Sequence, residues 1–256
     1  MSRGAPTLDP ELGPLTLDRL TRDVWLWQRQ KGHRFSVDDV ATAFVAARRM
    51  PDARSILDLG CGIGSVLLHL AWSLPDARLV GIEAQAVSFA LLERNVAHNY
   101  LHERVRVVHG DLRDRARWAD LGRGFDLVTG TPPYFPVGHA LAADDEQRTL
   151  ARLEVRGGVE AYIETAGALM SVAGAFVLCG ASAANARVLA AARAAGLYLE
   201  GRTDIVARAP NPPLFSVWTL VKQLVDSRPP TALVIRDASG ARTEDAASLR
   251  AFSGID

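Results

Sequence analysis

Four short clusters of glycine, acidic and proline-aromatic residues carry most of the chemical potential of this sequence. They are Asp58-Leu59-Gly60-Cys61-Gly62-Ile63-Gly64, Glu83, Asp111 and Thr131-Pro132-Pro133-Tyr134. Each cluster follows a short apolar run that is typical of a buried strand, and open α/β sheets bind ligands at the carboxyl ends of their strands. The spacing therefore predicts one ligand site that is built from successive strand ends.

The glycine cluster predicts a tight turn from a strand into a helix, with room for a ligand to approach the backbone. A dinucleotide site has the spacing G-x-G-x-x-G and holds pyrophosphate at the helix N-terminus. Here the third glycine, Gly64, comes one residue early, and Ser65 stands at the dinucleotide position. This compact turn favours S-adenosylmethionine, which has no phosphate, over a nicotinamide dinucleotide.

Three carboxylates suit different parts of that cofactor. Asp58 is placed to meet the ammonium group of its amino-acid end, directly or through water. Glu83 can accept hydrogen bonds from two ribose hydroxyls, and Asp111 can accept one from the exocyclic amine of an adenine ring. Any one of them could instead be a solvated strand end or a helix cap. Their occurrence at three successive strand ends indicates a cofactor site.

The segment Thr131-Pro132-Pro133-Tyr134-Phe135 predicts a rigid loop over the cofactor's methyl group, because two prolines fix φ. It resembles the Asn-Pro-Pro-Tyr motif of amino-methyltransferases that act on adenine N6 and on the glutamine amide nitrogen. In that family the Asn side chain and a Pro carbonyl accept the amine hydrogens, and the Tyr stacks on the planar substrate. The resemblance implies catalytic roles for Thr131, Pro132, Pro133 and Tyr134, and acceptor contacts for Tyr134 and Phe135. Thr131 replaces the Asn, and a hydroxyl offers an acceptor on a shorter arm.

A further resemblance runs in order from about Trp25 to Val221. Gly32-His33-Arg34-Phe35-Ser36-Val37-Asp38 is similar to the Gly-Tyr-Arg-Phe-Ser-Val-Asp segment of the bacterial tRNA(Val) adenine-N6 methyltransferase family. Ala151-Arg152-Leu153-Glu154 resembles the Ala-Arg-His-Glu of that family. The sequence departs from the family at His33, Leu153 and Thr131, and in its additional C-terminal tail.

This resemblance to a class I methyltransferase completes the predicted site. It implies that Arg34, Phe35 and Asp38 border the cofactor pocket and that Arg152 and Glu154 contact the acceptor. The predicted cofactor-binding set is Arg34, Phe35, Asp38, Asp58, Gly60, Cys61, Gly62, Gly64, Glu83, Ala84, Asp111, Leu112 and Thr131. No metal is expected, because His98 and His102 beside Glu103 lack a third ligand.

Strand and helix patterns alternate from Ser55 onwards, which predicts a doubly wound, Rossmann-like and mostly parallel sheet of seven strands. Two late strand patterns, at residues 197–206 and 215–221, predict an antiparallel hairpin at the sheet edge. Ahead of the sheet, we expect a loose arm at residues 1–20, a small hairpin of 24–30 with 33–35, and a helix that ends before Pro51. The predicted units are residues 1–50, 51–225 and 226–256.

Composition narrows the functional class. The chain has 29 basic and 29 acidic residues, so the whole molecule has no bulk attraction for polyanions, although a local patch is compatible with this balance. The two cysteines, Cys61 and Cys179, do not suggest a disulfide framework. The sequence shows neither a leader-like apolar region at its start nor a stretch long enough to span a bilayer. A cytoplasmic enzyme is the simplest interpretation.

The sequence leaves the identity of the acceptor open. By resemblance RNA or tRNA adenine comes first, and a small molecule or a peptide follows closely because of Thr131 and the neutral charge. A catalytically inert, cofactor-binding scaffold subunit is the alternative from another class. The sequence does not address the oligomeric state, the tail from residue 226 or the loop at 138–150.

Overall fold

The computed structural model describes residues 7–9, 11–134, 147, 149, 153–154 and 157–255. The strands are β1 (Thr7–Asp9), β2 (Gly13–Arg19), β3 (Trp25–Arg29), β4 (Ser55–Leu59), β5 (Arg78–Glu83), β6 (Val105–His109), β7 (Phe125–Gly130), β8 (Met170–Gly180), β9 (Tyr198–Val206), β10 (Phe215–Val221) and β11 (Thr231–Val234). The helices are α1 (Val37–Arg49), α2 (Ser65–Ser73), α3 (Ala86–His98), α4 (Trp118–Leu121), α5 (Val159–Leu169), α6 (Asn185–Ala194) and α7 (Glu244–Phe252).

The central sheet has the strand order β11-β9-β10-β8-β7-β4-β5-β6. Its pairs are parallel from β8 through β7 and β4 to β6, and β10 is antiparallel to both β8 and β9. This confirms the predicted Rossmann-like sheet and its late antiparallel hairpin. The predicted count of seven strands was wrong: the sheet has eight, because β11 pairs in parallel with β9. This strand covers backbone groups that an edge strand would otherwise leave unpaired.

Helices cover both faces of the sheet, as side-chain alternation along the strands requires. In β8, Val177 and Cys179 face an apolar cluster that includes α1 and α2. Phe176 and Leu178 face a second cluster, to which α5 and α6 contribute. The resulting three layers hold the carboxyl ends of the parallel strands at one edge of the sheet.

A separate antiparallel sheet of β1, β2 and β3 precedes the main fold. Here β2 pairs with β3, from Leu15 opposite Arg29 to Arg19 opposite Trp25. The prediction of a loose arm was therefore wrong for residues 13–19, and residues 33–35 are not the hairpin partner. The small sheet rests on α3, where Asn95 Oδ1 accepts a hydrogen bond from the Trp27 backbone N–H at 2.7 Å.

Residues 231–255 complete the fold at its other end. After β11, α7 packs against α1, with the rings of Phe44 and Phe252 in an edge contact at 5.4 Å. Phe252 also stacks on the buried His69 of α2 at 4.7 Å. Within the described part of the chain, no helix has both the length and the apolarity needed to cross a membrane.

Candidate functional site

Two small adjoining cavities lie where the parallel strands β4, β5, β6 and β7 end. Their volumes are about 60 Å³ and about 70 Å³. Gly60, Gln85, Pro133 and Tyr162 line both. Of the predicted residues, the first cavity also contains Glu83, Ala84, Asp111 and Leu112 in its wall, and the second contains Phe35, Cys61, Gly62 and Thr131. The strand ends thus bring most of the predicted cofactor set together.

A larger cavity, of about 670 Å³, lies away from these strand ends. Its wall includes Arg49 at the end of α1 and Glu200 near the start of β9. Arg49 binds Glu200 through two hydrogen bonds, of 2.6 and 2.9 Å. Because α1 leads into the start of β4, this cavity is at the opposite edge of the sheet from residues 60–64, the glycine turn that follows β4.

The glycine turn requires glycine for two physical reasons. Gly60, Gly62 and Gly64 have φ values of 57°, 56° and 93°, in the left-handed region that other residues rarely adopt. At Gly60, an added Cβ would also lie 2.1 Å from the Tyr162 hydroxyl. The turn therefore depends on both backbone freedom and the close approach of α5.

Glu83 is held rigidly at the end of β5. Its Oε2 accepts a hydrogen bond from the Gly62 N–H at 2.9 Å, and its Oε1 accepts one from the Gln85 N–H at 2.6 Å. These contacts couple the glycine turn to the next strand end. They orient an acidic side chain toward the first cavity, where a hydroxyl-rich ligand would find acceptors.

Asp58 lies beneath the glycine turn and does not line either cavity. Thr129 Oγ1 donates a hydrogen bond to its Oδ1 at 2.8 Å, whereas its Oδ2 lacks a hydrogen bond of normal geometry, although the Leu67 backbone N–H acts on the carboxylate and lowers its pKa. The side chain is only 1% exposed, and burial raises its pKa to about 7. A buried carboxylate oxygen without a partner is costly. A cationic donor at this position would relieve that cost.

Asp111 and Leu112 follow β6 and line the first cavity. Asp111 forms an ion pair with Arg113, with 2.6 Å between Oδ2 and Nη2. The Leu112 carbonyl accepts hydrogen bonds from Trp118 Nε1 at 2.8 Å and from Thr165 Oγ1 at 3.2 Å. These contacts fix the third strand end relative to α4 and α5.

The residues Thr131 to Tyr134, here called the proline loop, leave β7 directly above the glycine turn. Thr131 and Pro133 line the second cavity, and Pro132 is buried. Tyr134 is partly buried, with its hydroxyl 3.0 Å from Asp38 Oδ2 and 3.2 Å from Cys179 Sγ. Burial raises the pKa of the Tyr134 hydroxyl, so this group stays protonated and acts as a donor.

The segment before α1 contributes differently from the prediction. Arg34 donates hydrogen bonds to Asp18 Oδ2 at 2.8 Å and to Thr16 Oγ1 at 2.9 Å. It therefore holds β2 and lines neither cavity, and Asp38 instead binds Tyr134. Phe35 does line the second cavity.

Asp39 and Tyr162 are cavity residues that the sequence analysis missed. Asp39 caps α1, accepting from the Ser36 N–H at 2.9 Å, and burial raises its pKa to about 8, with the Asp38 carboxylate adding to the shift. Tyr162 lies on the buried face of α5. A buried aromatic at helical spacing is typical of a core position, so no local signal distinguishes it.

Of the predicted acceptor contacts, the two that are described, Tyr134 and Glu154, do not line the cavities. Glu154 accepts two hydrogen bonds from Arg187, at 2.9 and 3.0 Å, and lines neither cavity. Phe135 and Arg152 lie outside the described residues. Gln147 is buried, accepts from the His33 N–H at 3.2 Å and donates to Ser88 Oγ at 3.1 Å.

The electrostatic character of the two cavities is acidic. Asp39, Glu83 and Asp111 line them, with Asp58 directly below, and His33 is the one basic side chain among the described lining residues. Burial keeps Asp39 largely and Asp58 partly protonated at neutral pH, and Asp111 is paired with Arg113, so the acids offer hydrogen-bond acceptors more than a strong negative field. The described lining residues include no Lys or Arg that would hold a pyrophosphate, whereas a ligand with ammonium and sulfonium charges is complementary to the carboxyl groups. The side chains present therefore fit S-adenosylmethionine better than a dinucleotide.

Solved structures share this fold. A protein from Agrobacterium tumefaciens, described as a predicted O-methyltransferase, is 22% identical, with a TM-score of 0.64 over 86% of this chain and 98% of that one. A putative transferase from Pyrococcus horikoshii is 16% identical, with a TM-score of 0.55 over 80% of this chain and 71% of its own. At these identities the likeness concerns the fold alone.

Curated proteins match this chain at higher sequence identity than these structures do. A tRNA1(Val) (adenine(37)-N6)-methyltransferase of Porphyromonas gingivalis is 35% identical over 123 residues, 48% of each chain. The enzyme of the same description from Bacteroides thetaiotaomicron is 30% identical over 162 residues, which are 63% of this chain and 66% of its own. A release factor glutamine methyltransferase of Geobacter sulfurreducens is 36% identical over 104 residues, 40% of this chain and 34% of its own. The chain spans about half the length of the first of these curated relatives.

The family model of the methyltransferase small domain matches residues 33–179. This range contains the glycine turn, Glu83, Asp111 and the proline loop. It runs from the segment before α1 to the end of β8. The match confirms the family that the sequence motifs indicated: the chain belongs to the methyltransferase small domain family.

Proposed function

We propose that this protein transfers a methyl group from S-adenosylmethionine to an amino nitrogen, with adenine N6 of an RNA as the acceptor. The observation that carries the proposal is the pair of cavities at the strand ends, which carboxyl groups line together with Thr131 and Pro133. The described residues of this wall include no Lys or Arg that would hold the phosphates of an anionic cofactor. The match to tRNA adenine-N6 methyltransferases supports the choice of acceptor.

The cofactor supplies a methyl group on a positively charged sulfur, which makes that carbon electrophilic. On this chain, Asp58 Oδ2 would receive an ammonium donor, and Glu83 and Asp111 would accept hydrogen bonds from ribose and adenine groups. Gly60, Gly62 and Gly64 would allow close backbone approach, beside Cys61, Ala84 and Leu112. Asp39, Tyr162 and Phe35 would complete the wall around the cofactor.

The proline loop would orient the acceptor. The lone pair of an exocyclic amine is delocalised into its ring, so the amine is a weak nucleophile. The Thr131 hydroxyl and the Pro132 carbonyl would accept its two hydrogens and localise the lone pair on nitrogen. Thr131 lines the second cavity and has no hydrogen-bond partner among the described residues, so its hydroxyl is able to turn toward the substrate amine. Positioning then supplies most of the rate, and the nitrogen loses its proton after transfer.

A glutamine amide is the second candidate acceptor. The match to a release factor glutamine methyltransferase favours it, because an amide is planar and presents the same two hydrogens. A small-molecule acceptor, or an inert scaffold that binds the cofactor without turnover, would leave both RNA and protein unmethylated. We further propose that residues 51–225 form the catalytic unit, that residues 1–50 and 226–256 flank it, and that an RNA substrate places the activity in the cytoplasm.

The test is to incubate the purified protein with methyl-labelled S-adenosylmethionine and, separately, with total RNA, a protein extract and a metabolite extract. Mass spectrometry should find the label in N6-methyladenosine. Label only in glutamine or in a metabolite would replace the proposed acceptor. Cofactor binding in calorimetry without any labelled product would favour the scaffold. Glu83→Gln should abolish labelling, while Asp76→Asn, on an exposed side chain before the start of β5 and so at the opposite edge of the sheet, should not.

A further inference from the structure

An open trough lies between the N-terminal sheet and the C-terminal segment, beside the cofactor cavities. Its volume is about 370 Å³, and its floor is mainly apolar, with contributions from Leu20, Val37, Val40, Ile235 and Leu249. Val37 is a large aliphatic residue, and 37% of its surface is exposed. The residues that follow β11 and those of α7 form one side of the trough, and the start of α1 forms the other.

The trough adjoins the candidate active site. Phe35 lines both the trough and the second cavity, so the two share a wall. In addition, β11 runs parallel to β9, with Val234 opposite Val206. The following residues, Ile235 and Arg236, therefore lie at the same carboxyl edge of the sheet as the glycine turn. A polymer whose one unit reaches the proline loop could lay its neighbouring units in this trough.

The rim of the trough is positively charged. Arg19, Arg236, Arg242 and Arg250 line it, and no acidic side chain does so among the described residues. None of the four forms an ion pair with a described Asp or Glu. Arg19 and Arg236 are steadied by backbone carbonyls, through bonds of 3.1 Å to Thr21 and 2.7 Å to Gly240. The zero net charge of the chain thus conceals a local basic patch.

We propose that this trough binds the single-stranded RNA segment that flanks the target adenine; the inference rests on the proposed RNA acceptor. Guanidinium groups bind phosphate oxygens in a two-pronged geometry, and four of them around the trough can pair with the phosphates of a polynucleotide. The faces of the bases are apolar and suit the floor. Proteins that bind single strands combine these two features, a basic groove and a surface on which bases lie.

An acidic peptide fits the same trough less well. A peptide laid on this floor would press backbone N–H and C=O groups against aliphatic side chains, and polar groups buried without partners are costly. A nucleobase keeps its hydrogen-bonding groups at its edges and presents apolar faces. The apolar floor therefore favours nucleotides over a peptide chain, and the arginine rim is compatible with both.

The first experiment measures the binding of a short, unstructured, fluorescently labelled RNA at several salt concentrations. Arg242→Ala/Arg250→Ala should raise Kd about tenfold or more. It should also reduce the slope of log K against log salt by about 0.7 for each lost phosphate contact. The matched control is Arg78→Ala/Arg123→Ala, which removes two exposed arginines outside the trough and should leave both quantities unchanged. Unchanged RNA binding in the trough variant would overturn the inference.

Two further readouts separate this inference from the proposed function. Calorimetry with S-adenosylmethionine should give equal affinities for the wild type and the trough variant, because none of the four arginines lines the cofactor cavities. If the protein methylates RNA but the trough variant binds RNA as tightly as the wild type, the inference about the trough is overturned and the proposed function stands. Arginine-dependent RNA binding without adenine methylation would support the trough and overturn the proposed acceptor. Arginine-dependent binding of a Glu-rich peptide, with no RNA binding, would overturn RNA as the occupant.

Discussion

The Tyr134 hydroxyl donates a hydrogen bond to Asp38 Oδ2 across 3.0 Å and so ties the proline loop to the first turn of α1. The ring of Tyr134 also lies 6.4 Å from that of Phe215, on β10. Both ends of this side chain are therefore anchored in the fold. Tyr134 sets the position of the loop, and with it the position of Thr131 above the cofactor cavity.

Tyr134→Phe keeps the ring and removes this hydrogen bond. We expect the free energy of unfolding to fall by about 1 kcal/mol, since the bond is partly buried and accepted by a carboxylate. The measurement is urea denaturation, with Tyr198→Phe as the control because Tyr198 is 41% exposed. Equal stability of Tyr134→Phe and the wild type would show that the contact does not hold the loop.

Gly60→Ala separates steric contact from backbone strain when it is compared with Gly62→Ala. Both glycines have nearly the same left-handed φ, but an added Cβ meets Tyr162 at Gly60 and nothing within 4 Å at Gly62. Both substitutions should destabilise the protein. Gly60→Ala should cost roughly 1–3 kcal/mol more, as overpacking typically does. Equal losses in thermal or urea unfolding would mean that α5 simply moves aside.

Thr131→Val removes the hydroxyl and retains the side-chain shape. If that hydroxyl accepts an amine hydrogen in the reaction, kcat should fall about tenfold or more, which corresponds to about 1.4 kcal/mol of lost stabilisation. The affinity for S-adenosylmethionine should remain unchanged. Thr131→Ser retains the hydroxyl and should retain most of the rate. An active Val variant would remove Thr131 from the proposed catalytic set.

Asp58 should make both stability and cofactor binding depend on pH. Its pKa in the folded protein is about 7, above the ordinary 3.8, so the folded state binds more protons than the unfolded state between these values. Asp58 therefore lowers stability as pH rises from about 4 to about 7. Cofactor binding should strengthen over the upper part of that range, because an ammonium group needs the carboxylate.

Asp58→Asn tests both effects. The variant should lose part of the pH dependence of unfolding and should bind S-adenosylmethionine at least about tenfold more weakly at pH 8. Urea denaturation at pH 4.5 and pH 8 and calorimetry give the two quantities. Asp76→Asn, on an exposed side chain, is the matched control. A variant with unchanged cofactor affinity would exclude Asp58 from ammonium binding.

His69 should destabilise the protein in acid. It stacks on Phe252, and burial lowers its pKa to about 4 from the ordinary 6.5. The unfolded chain then binds the additional proton, so stability is lost as pH falls from about 6.5 to about 4, by roughly 3 kcal/mol in total. His69→Phe should unfold with a smaller difference between pH 7 and pH 4.5, whereas His102→Gln, on an exposed histidine, should behave like the wild type. Identical pH profiles would exclude His69 as the source.

Local sequence determined the strand ends and the chemistry that they carry. Gly60, Gly62, Glu83 and Asp111 lie next to the cavities because each follows a strand of a parallel sheet, and parallel strands end at one edge. Periodicity and turn residues are properties of short segments, so they can be read along the chain. The Rossmann-like sheet followed from the same signals, whereas the family followed from the resemblance of the Thr131–Tyr134 and Gly32–Asp38 segments to known methyltransferases.

Tertiary structure alone decided how distant segments meet. The side chain of Arg34 turns to Asp18 on β2, Tyr162 reaches Gly60 from α5, and β11 adds to the sheet beside β9. The arginine-rimmed trough likewise joins residues from the two ends of the chain. Each of these contacts depends on packing between segments far apart in sequence, where many partners satisfy the same local pattern and only the assembled core selects one.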